Sequence, residues 1–362
     1  AKFSPITKKS PKNVIFFVNA RGRLIDPNFN VHSDYYCLQF KNFLSIEARY
    51  NNNYIIPSNR RTFASWGLIS AKVELLTKLK ALKNYQKIDV MEEIFQFFEK
   101  NYPQFLPMLH EQKSILSRIF HGYKYYEKFY TKLFRKLQTK IIFIREGYYG
   151  GFNAVLIKIA KDNGIKVAEI QHGVLNENYV LSDTLLNNDE YCEYIPDYLL
   201  TWGEYWNKFV KIPGKPLVLG NPQFYDKIGQ YKTIKKRKNT ILVVSQGTTT
   251  KRFVKFAIDL SKSFSDHKIV YKLHPGEVAF EERYADLYNY DNIIVEKSGD
   301  IFEFIAKSEI IVLYYSTTVY ESLGFKKKIF IFDGEMSKSI PQEIGERFKD
   351  SKELIQLIKQ SQ

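Results

Sequence analysis

The chain has 362 residues, 44% of them apolar, carries a formal charge of +15 and contains two cysteines. It is too apolar for a disordered tail and long enough for two domains with cores of their own. Cys37 and Cys192 stand in no metal-ligand spacing, no run approaches the roughly 18 apolar residues of a membrane span, and "AKFSPITKKSPKN" (1–13) lacks a signal-peptide core.

The first expected strand is "NVIFFVN" (13–19). From about 62 to 138, in stretches such as "VELLTKLKALKNYQKIDVMEEIFQFFEK", apolar residues recur at helical spacing, which reads as a helical insertion. Strands resume at "KIIFIREG" (140–147), "GIKVAEIQHG" (164–173), "DYLLTWG" (197–203) and "PLVLGNP" (216–222). Gly and Pro punctuate residues 212–228 as a crossing between domains, and "QYKTIKKRKN" (230–239) reads as a polar linker. Strands at 240–247, 268–275, 292–298, 309–316 and 327–333 then alternate with helical patterns at 251–264, 280–290, 300–308 and 319–325. These strands are apolar on both faces, the mark of a parallel sheet covered on both sides. The expected architecture is α/β: two doubly wound domains, 1–228 and 229–362, facing across a cleft, with ligands past the carboxyl ends of the strands.

Basic clusters at 7–13, 235–239 and 325–328 read either as solvated faces or as attraction to anionic lipid. No zinc-finger spacing, basic zipper or RNP motif accompanies them, so sequence-specific nucleic-acid binding is not expected. A soluble or peripherally membrane-bound protein of the cell interior is.

The unusual residues sit at strand ends. His274 closes a strand, and Pro275 fixes the turn behind it. An imidazole there donates to a phosphate oxygen or serves a structural role; Lys272 on the same strand adds charge or is solvated. Ser316, Thr317 and Thr318 follow a strand and open a helix. One hydroxyl suffices as an N-cap, leaving the others to hold an anion. Glu321 either completes a capping box with Thr318 or binds ribose hydroxyls. Gln246 and Gly247 end another strand, where the glycine permits close backbone approach or a plain turn. No GxGxxG or P-loop is present.

In the first half, "IREGYYGGFN" (144–153) places Glu146 beside glycines with Tyr148 and Tyr149 following. This suits a base that takes a proton from an acceptor sugar, or a turn with Glu146 paired to Arg145. His172, in "EIQHG", is an acceptor-side candidate or a buried structural histidine, and Asp183 is a reserve base. His32, His110, His121 and His267 share no context and receive no role. No H-E-x-x-H, DxD or Cys/His cluster occurs, so neither a metal nor another cofactor is expected.

A strand ending in "QHG", a later one ending in "HP", and then "STTVYES" together resemble the bacterial surface-polysaccharide glycosyltransferases of the GT-B fold. The similarity, over roughly residues 140–335, is closest to CMP-sugar-using sialyltransferases and capsule Kdo transferases, and extends to polyol-phosphate transferases of teichoic-acid synthesis. The resemblance implies that the C-terminal domain binds a nucleotide sugar through His274, Ser316, Thr317 and Thr318. It also implies that Glu146, in "REG", is the base and that the acceptor is a capsule, lipopolysaccharide or lipooligosaccharide glycan. A CDP-polyol phosphotransferase, a UDP-sugar 2-epimerase and a basic nucleic-acid-binding or scaffold protein are the alternatives.

Overall fold

The computed structural model describes residues 11–24, 26–50, 55–58, 61–83, 89–175, 187–234 and 238–361. Asp183, residues 7–10 and residues 235–237 of the basic clusters lie outside them. The chain forms two compact units, Ala1–Gly220 and Asn221–Gln362.

In the first unit seven strands form one sheet: β1 (Val14–Asn19), β2 (Phe43–Ala48), β3 (Phe63–Ser65), β4 (Ile141–Ile144), β5 (Lys166–Ile170), β6 (Tyr198–Thr201) and β7 (Lys215–Val218). Their order is β3-β2-β1-β4-β5-β6-β7 and every pairing is parallel. Strands β2 and β3 are additional to the sequence expectation. The polar residues of "FLSIEA" hide β2, yet Ser45 and Glu47 are buried in it. The charge of Glu47 is tolerated there because the Arg23 guanidinium meets it at 2.6 Å.

The expected helical insertion is α1 (Trp66–Lys83), α2 (Asp89–Asn101) and α3 (Leu106–Leu137), preceded by β3. It is the connection that carries the chain from the edge strand β3 back to β4, beside β1. Tyr126, Tyr130, Leu133, Phe134 and Leu137 recur at helical spacing on α3 and are buried in one core with Ile15 of β1 and Ile142 of β4. The Trp66 ring stacks on Tyr130 at 5.6 Å and ties the start of α1 to this face. Helix α4 (Phe152–Asp162) follows β4.

The second unit begins with α5 (Pro222–Tyr231), whose Asn221 cap accepts the Phe224 N–H at 3.1 Å and whose Lys227 meets Asp300 at 2.8 Å. Six strands follow: β8 (Thr240–Val244), β9 (Lys268–Lys272), β10 (Ile293–Glu296), β11 (Ile310–Leu313), β12 (Lys328–Phe332) and β13 (Glu346–Phe348). All pairings are parallel, in the order β10-β9-β8-β11-β12-β13. Helices α6 (Thr250–Ser263), α7 (Ile301–Lys307), α8 (Thr318–Gly324) and α9 (Ser351–Ser361) belong to this unit. Where a helix is expected at 280–290, residues Val278–Asn289 form 3₁₀ turns broken at Phe280, with Tyr284 and Leu287 buried three residues apart. Separate core clusters, one around Phe253 and Phe330, the other around Leu242 and Ile311, complete the doubly wound design.

In both sheets the first strand lies beside the fourth. The order therefore reverses between β1 and β4, and between β8 and β11, which fixes where ligands approach each sheet.

Candidate functional site

Strands β9, β8 and β11 are neighbours and run the same way, so the residues that follow them share one sheet edge. Past β9, His274 is exposed. Its Nδ1 accepts the Gly276 N–H at 3.1 Å, which leaves the ring proton of the neutral imidazole on Nε2. The backbone beneath is anchored by Ser245 at the end of β8. The Ser245 hydroxyl donates to Glu277 Oε2 at 2.5 Å and accepts the His274 N–H at 2.7 Å. Glu277 is buried, and Tyr284 donates to its other oxygen. Gly247, in the turn after Gln246, packs closely on this support: a Cβ would stand 3.3 Å from Glu277 Oε1. Pro275 is exposed in the turn. Lys272 is not a solvated charge. It is buried, donates to the Leu273 carbonyl at 3.1 Å, and burial lowers its pKa.

Past β11, the three hydroxyls divide their work. Ser316 Oγ accepts the Thr318 N–H at 3.2 Å and donates to the Thr318 hydroxyl at 3.0 Å, so it satisfies the first amide of α8 from one residue ahead of Thr317, whose own side chain makes no capping bond. Thr318 is buried, whereas Ser316 and Thr317 are half-buried. Glu321, one turn on, forms no capping box. Its Oε2 is buried without a hydrogen-bond partner, and burial pushes its pKa up to about 7.

The first unit has its own unusual edge. Glu146 sits past β4 in the left-handed region at φ 61°, rare for a side-chain-bearing residue. Asn153 holds this bend by donating to the Glu146 and Arg145 carbonyls at 3.2 and 3.3 Å. Glu146 lines a cavity of about 570 Å³ that lies wholly within the first unit. Gly147 must lack a side chain, because a Cβ would fall 2.7 Å from Pro196 Cγ and 3.0 Å from Glu169 Oε2. Tyr148 donates its N–H to Glu169 Oε2 at 3.1 Å, and its hydroxyl is buried. Of Tyr149 only the backbone is described.

Three residues define this edge: His172, an acceptor-side candidate, and Glu169 and His32, to which the sequence assigns no role. Glu169 is fully buried, and burial pushes its pKa up to about 8, so it is largely protonated near neutrality while it holds the Gly147–Tyr149 turn. His172 Nδ1 is 3.7 Å from Glu169 Oε1, and burial lowers the imidazole to about 4, with Arg145 and Arg21 adding to the effect. His32 meets the Arg145 guanidinium at 2.6 Å and is lowered to about 3, again chiefly by burial. A guanidinium only donates, so His32 Nδ1 is an acceptor. An acidic residue inside an otherwise apolar strand was the available signal for Glu169. For His32 and Arg145, which are 113 residues apart in sequence, there was none.

Among the described residues no helix is long and apolar enough to cross a membrane, and no three His, Cys, Asp or Glu side chains gather as metal ligands. No protein-family profile and no curated protein matches the sequence. Solved structures do match. The UDP-GlcNAc 2-epimerase of Methanocaldococcus jannaschii is similar over 96% of this chain and 91% of its own, with a TM-score of 0.52 and 12% identity. It has also been solved in complex with UDP-GlcNAc and UDP. A glycosyltransferase of Rickettsia africae is similar over 96% and 88%, with a TM-score of 0.51 and 14% identity. The wall teichoic acid polymerase TagF is similar over 97% and 80%, with a TM-score of 0.51 and 12% identity. The chain has the GT-B fold. At these identities the likeness speaks for the fold, which transferases and epimerases share.

Proposed function

We propose that the protein is a glycosyltransferase that takes a sugar from a nucleotide-activated donor and adds it to a bacterial surface glycan. The observation that carries this reading is the exposed His274. It is held by Ser245 and Gly276 with its ring proton on Nε2, on the same sheet edge as the Ser316–Thr318 hydroxyls. A fixed imidazole donor beside hydroxyls suits a phosphate oxygen that gains charge as the nucleotide departs. In this reading His274, Ser316 and Thr317 hold the donor phosphate, Glu321 accepts from ribose hydroxyls, and Glu146 takes the proton of the acceptor hydroxyl. The donor is a CMP-linked acidic sugar, in keeping with the resemblance of "QHG", "HP" and "STTVYES" to CMP-sugar transferases. The surplus of positive charge keeps the protein at the anionic inner membrane face.

The test is a thermal-shift comparison of CMP, CDP, UMP, UDP and GDP. A ligand that binds only the folded state stabilises it by RT ln(1 + [L]/Kd) and so raises its melting temperature. Stabilisation by CMP alone supports the CMP-sugar reading, whereas a response to UDP alone sinks it. A UDP-sugar 2-epimerase is the second reading, favoured by the likeness to the Methanocaldococcus jannaschii enzyme. Conversion of a free nucleotide sugar without any acceptor would decide for it.

A further inference from the structure

The cavity of the first unit opens at the carboxyl ends of β1, β2 and β4, where Asn19 ends its strand and Arg49 and Arg145 follow theirs. Its opposite wall comes from the helical insertion. Helix α3, with 32 residues, is about 48 Å long, while the four residues of β4 span only about 13 Å. Since α3 leads into β4 at the amino edge of the sheet, its first half runs past the carboxyl edge and brings Arg118 over the opening. Helix α1 starts directly after β3 and adds Trp66, Glu74 and Lys78.

The lining is cationic: Arg49, Lys78, Arg118 and Arg145 face two carboxylates, Glu74 and Glu146. Glu74 is already engaged, 3.7 Å from Arg118 and accepting from the Tyr126 hydroxyl at 3.2 Å. Arg118 lies over the Phe152 ring at 4.6 Å, and its Nε is buried without a hydrogen-bond partner. Arg49 and Lys78 are exposed and have no ion pair among the described residues. Glu169, the nearby carboxyl that would offset this charge, is held in its neutral form by burial. Cations with spare donors, set among the Trp66 and Phe152 rings, bind a planar anionic group on a sugar and stack its apolar face.

We propose that this cavity is the acceptor site, and that the acceptor is an anionic glycan whose carboxylate or phosphate is recognised by Arg49, Lys78 and Arg118. The proposal rests on the transferase reading, which requires an acceptor in addition to the donor.

The test uses the full chain and three probes that differ only at C6: glucose, glucuronic acid and glucose 6-phosphate. Binding is followed by saturation-transfer NMR at low salt, where surface charge is least screened. The expected result is binding of one or both anions and none of glucose, and the stronger anion identifies carboxylate or phosphate. R49A and K78A should each weaken that binding about tenfold while leaving nucleotide stabilisation unchanged, which also shows that the variants fold. Equal binding of glucose, or anion binding that survives in the R49A/K78A double variant, overturns the proposal. A chain that binds nucleotide but neither anion sinks this inference alone. Binding of anions by a chain that responds to no nucleotide sinks the transferase reading and leaves the cationic pocket standing.

Discussion

Ser245 and Glu277 are joined by a 2.5 Å hydrogen bond that ties the end of β8 to the turn after β9. The same Ser245 oxygen accepts the His274 N–H, so the exposed imidazole stands on a buried polar support instead of a flexible loop. Position and chemistry are thereby separable. Removing Ser245 disturbs the buried support, whereas removing the imidazole takes away the Nε2 donor and one exposed bond, from the Gly276 N–H.

S245A should therefore lower the stability of the second unit by about 1–3 kcal/mol, because Glu277 and the His274 N–H each lose a buried partner. H274A should leave stability within about 0.5 kcal/mol and reduce turnover by about 10²–10³-fold. Thermal melts and initial rates on both variants check this. A large stability loss in H274A would contradict the division.

Glu169 predicts a pH effect in the first unit. Its folded pKa of about 8 lies above the ordinary 4.5, so the unfolded chain releases this proton first and stability falls as pH rises from about 4.5 to about 8. Every tenfold change in proton affinity is worth about 1.4 kcal/mol. E169Q keeps an oxygen for the Tyr148 N–H and has no proton to lose. Its melting temperature should gain on the parent between pH 5 and pH 8, and a constant difference across that range would refute the neutral carboxyl.

His32 and His172 act in the opposite direction. Their pKa values of about 3 and about 4 lie below the ordinary 6.5, so the unfolded chain takes up protons first and stability falls as pH drops below about 6.5. NMR titration of the ring protons should find both imidazoles neutral at pH 5. In H32Q the amide oxygen can still accept from Arg145, and the acid limb of the stability curve should flatten.

Glu321 gives a signature in binding. With its pKa near 7, the carboxylate becomes a stronger acceptor for ribose hydroxyls as pH rises through neutrality. Nucleotide affinity should improve between pH 6 and pH 8 in the parent and stay level in E321Q. Calorimetric titration at the two pH values distinguishes the cases.

Five of the six strands of the second sheet are legible as apolar runs, and the three-residue β13 is not. In "TILVV", "KIVYK" and "IIVL" nearly every residue is buried, and strands covered on both faces must be written as continuous apolar runs. Their abrupt ends also marked His274 and Ser316. Strands such as β2 and β3 escaped because one hides a paired charge and the other has three residues. Which distant groups share an environment is set by the packing of the folded chain. Arg23 makes Glu47 tolerable inside a strand, Arg145 finds His32, Glu169 loses its charge under the Gly147–Tyr149 turn, and Arg118 reaches the cavity because a long helix overshoots a short strand. Burial and charge pairing depend on neighbours in space, and periodicity along the chain carries no record of them.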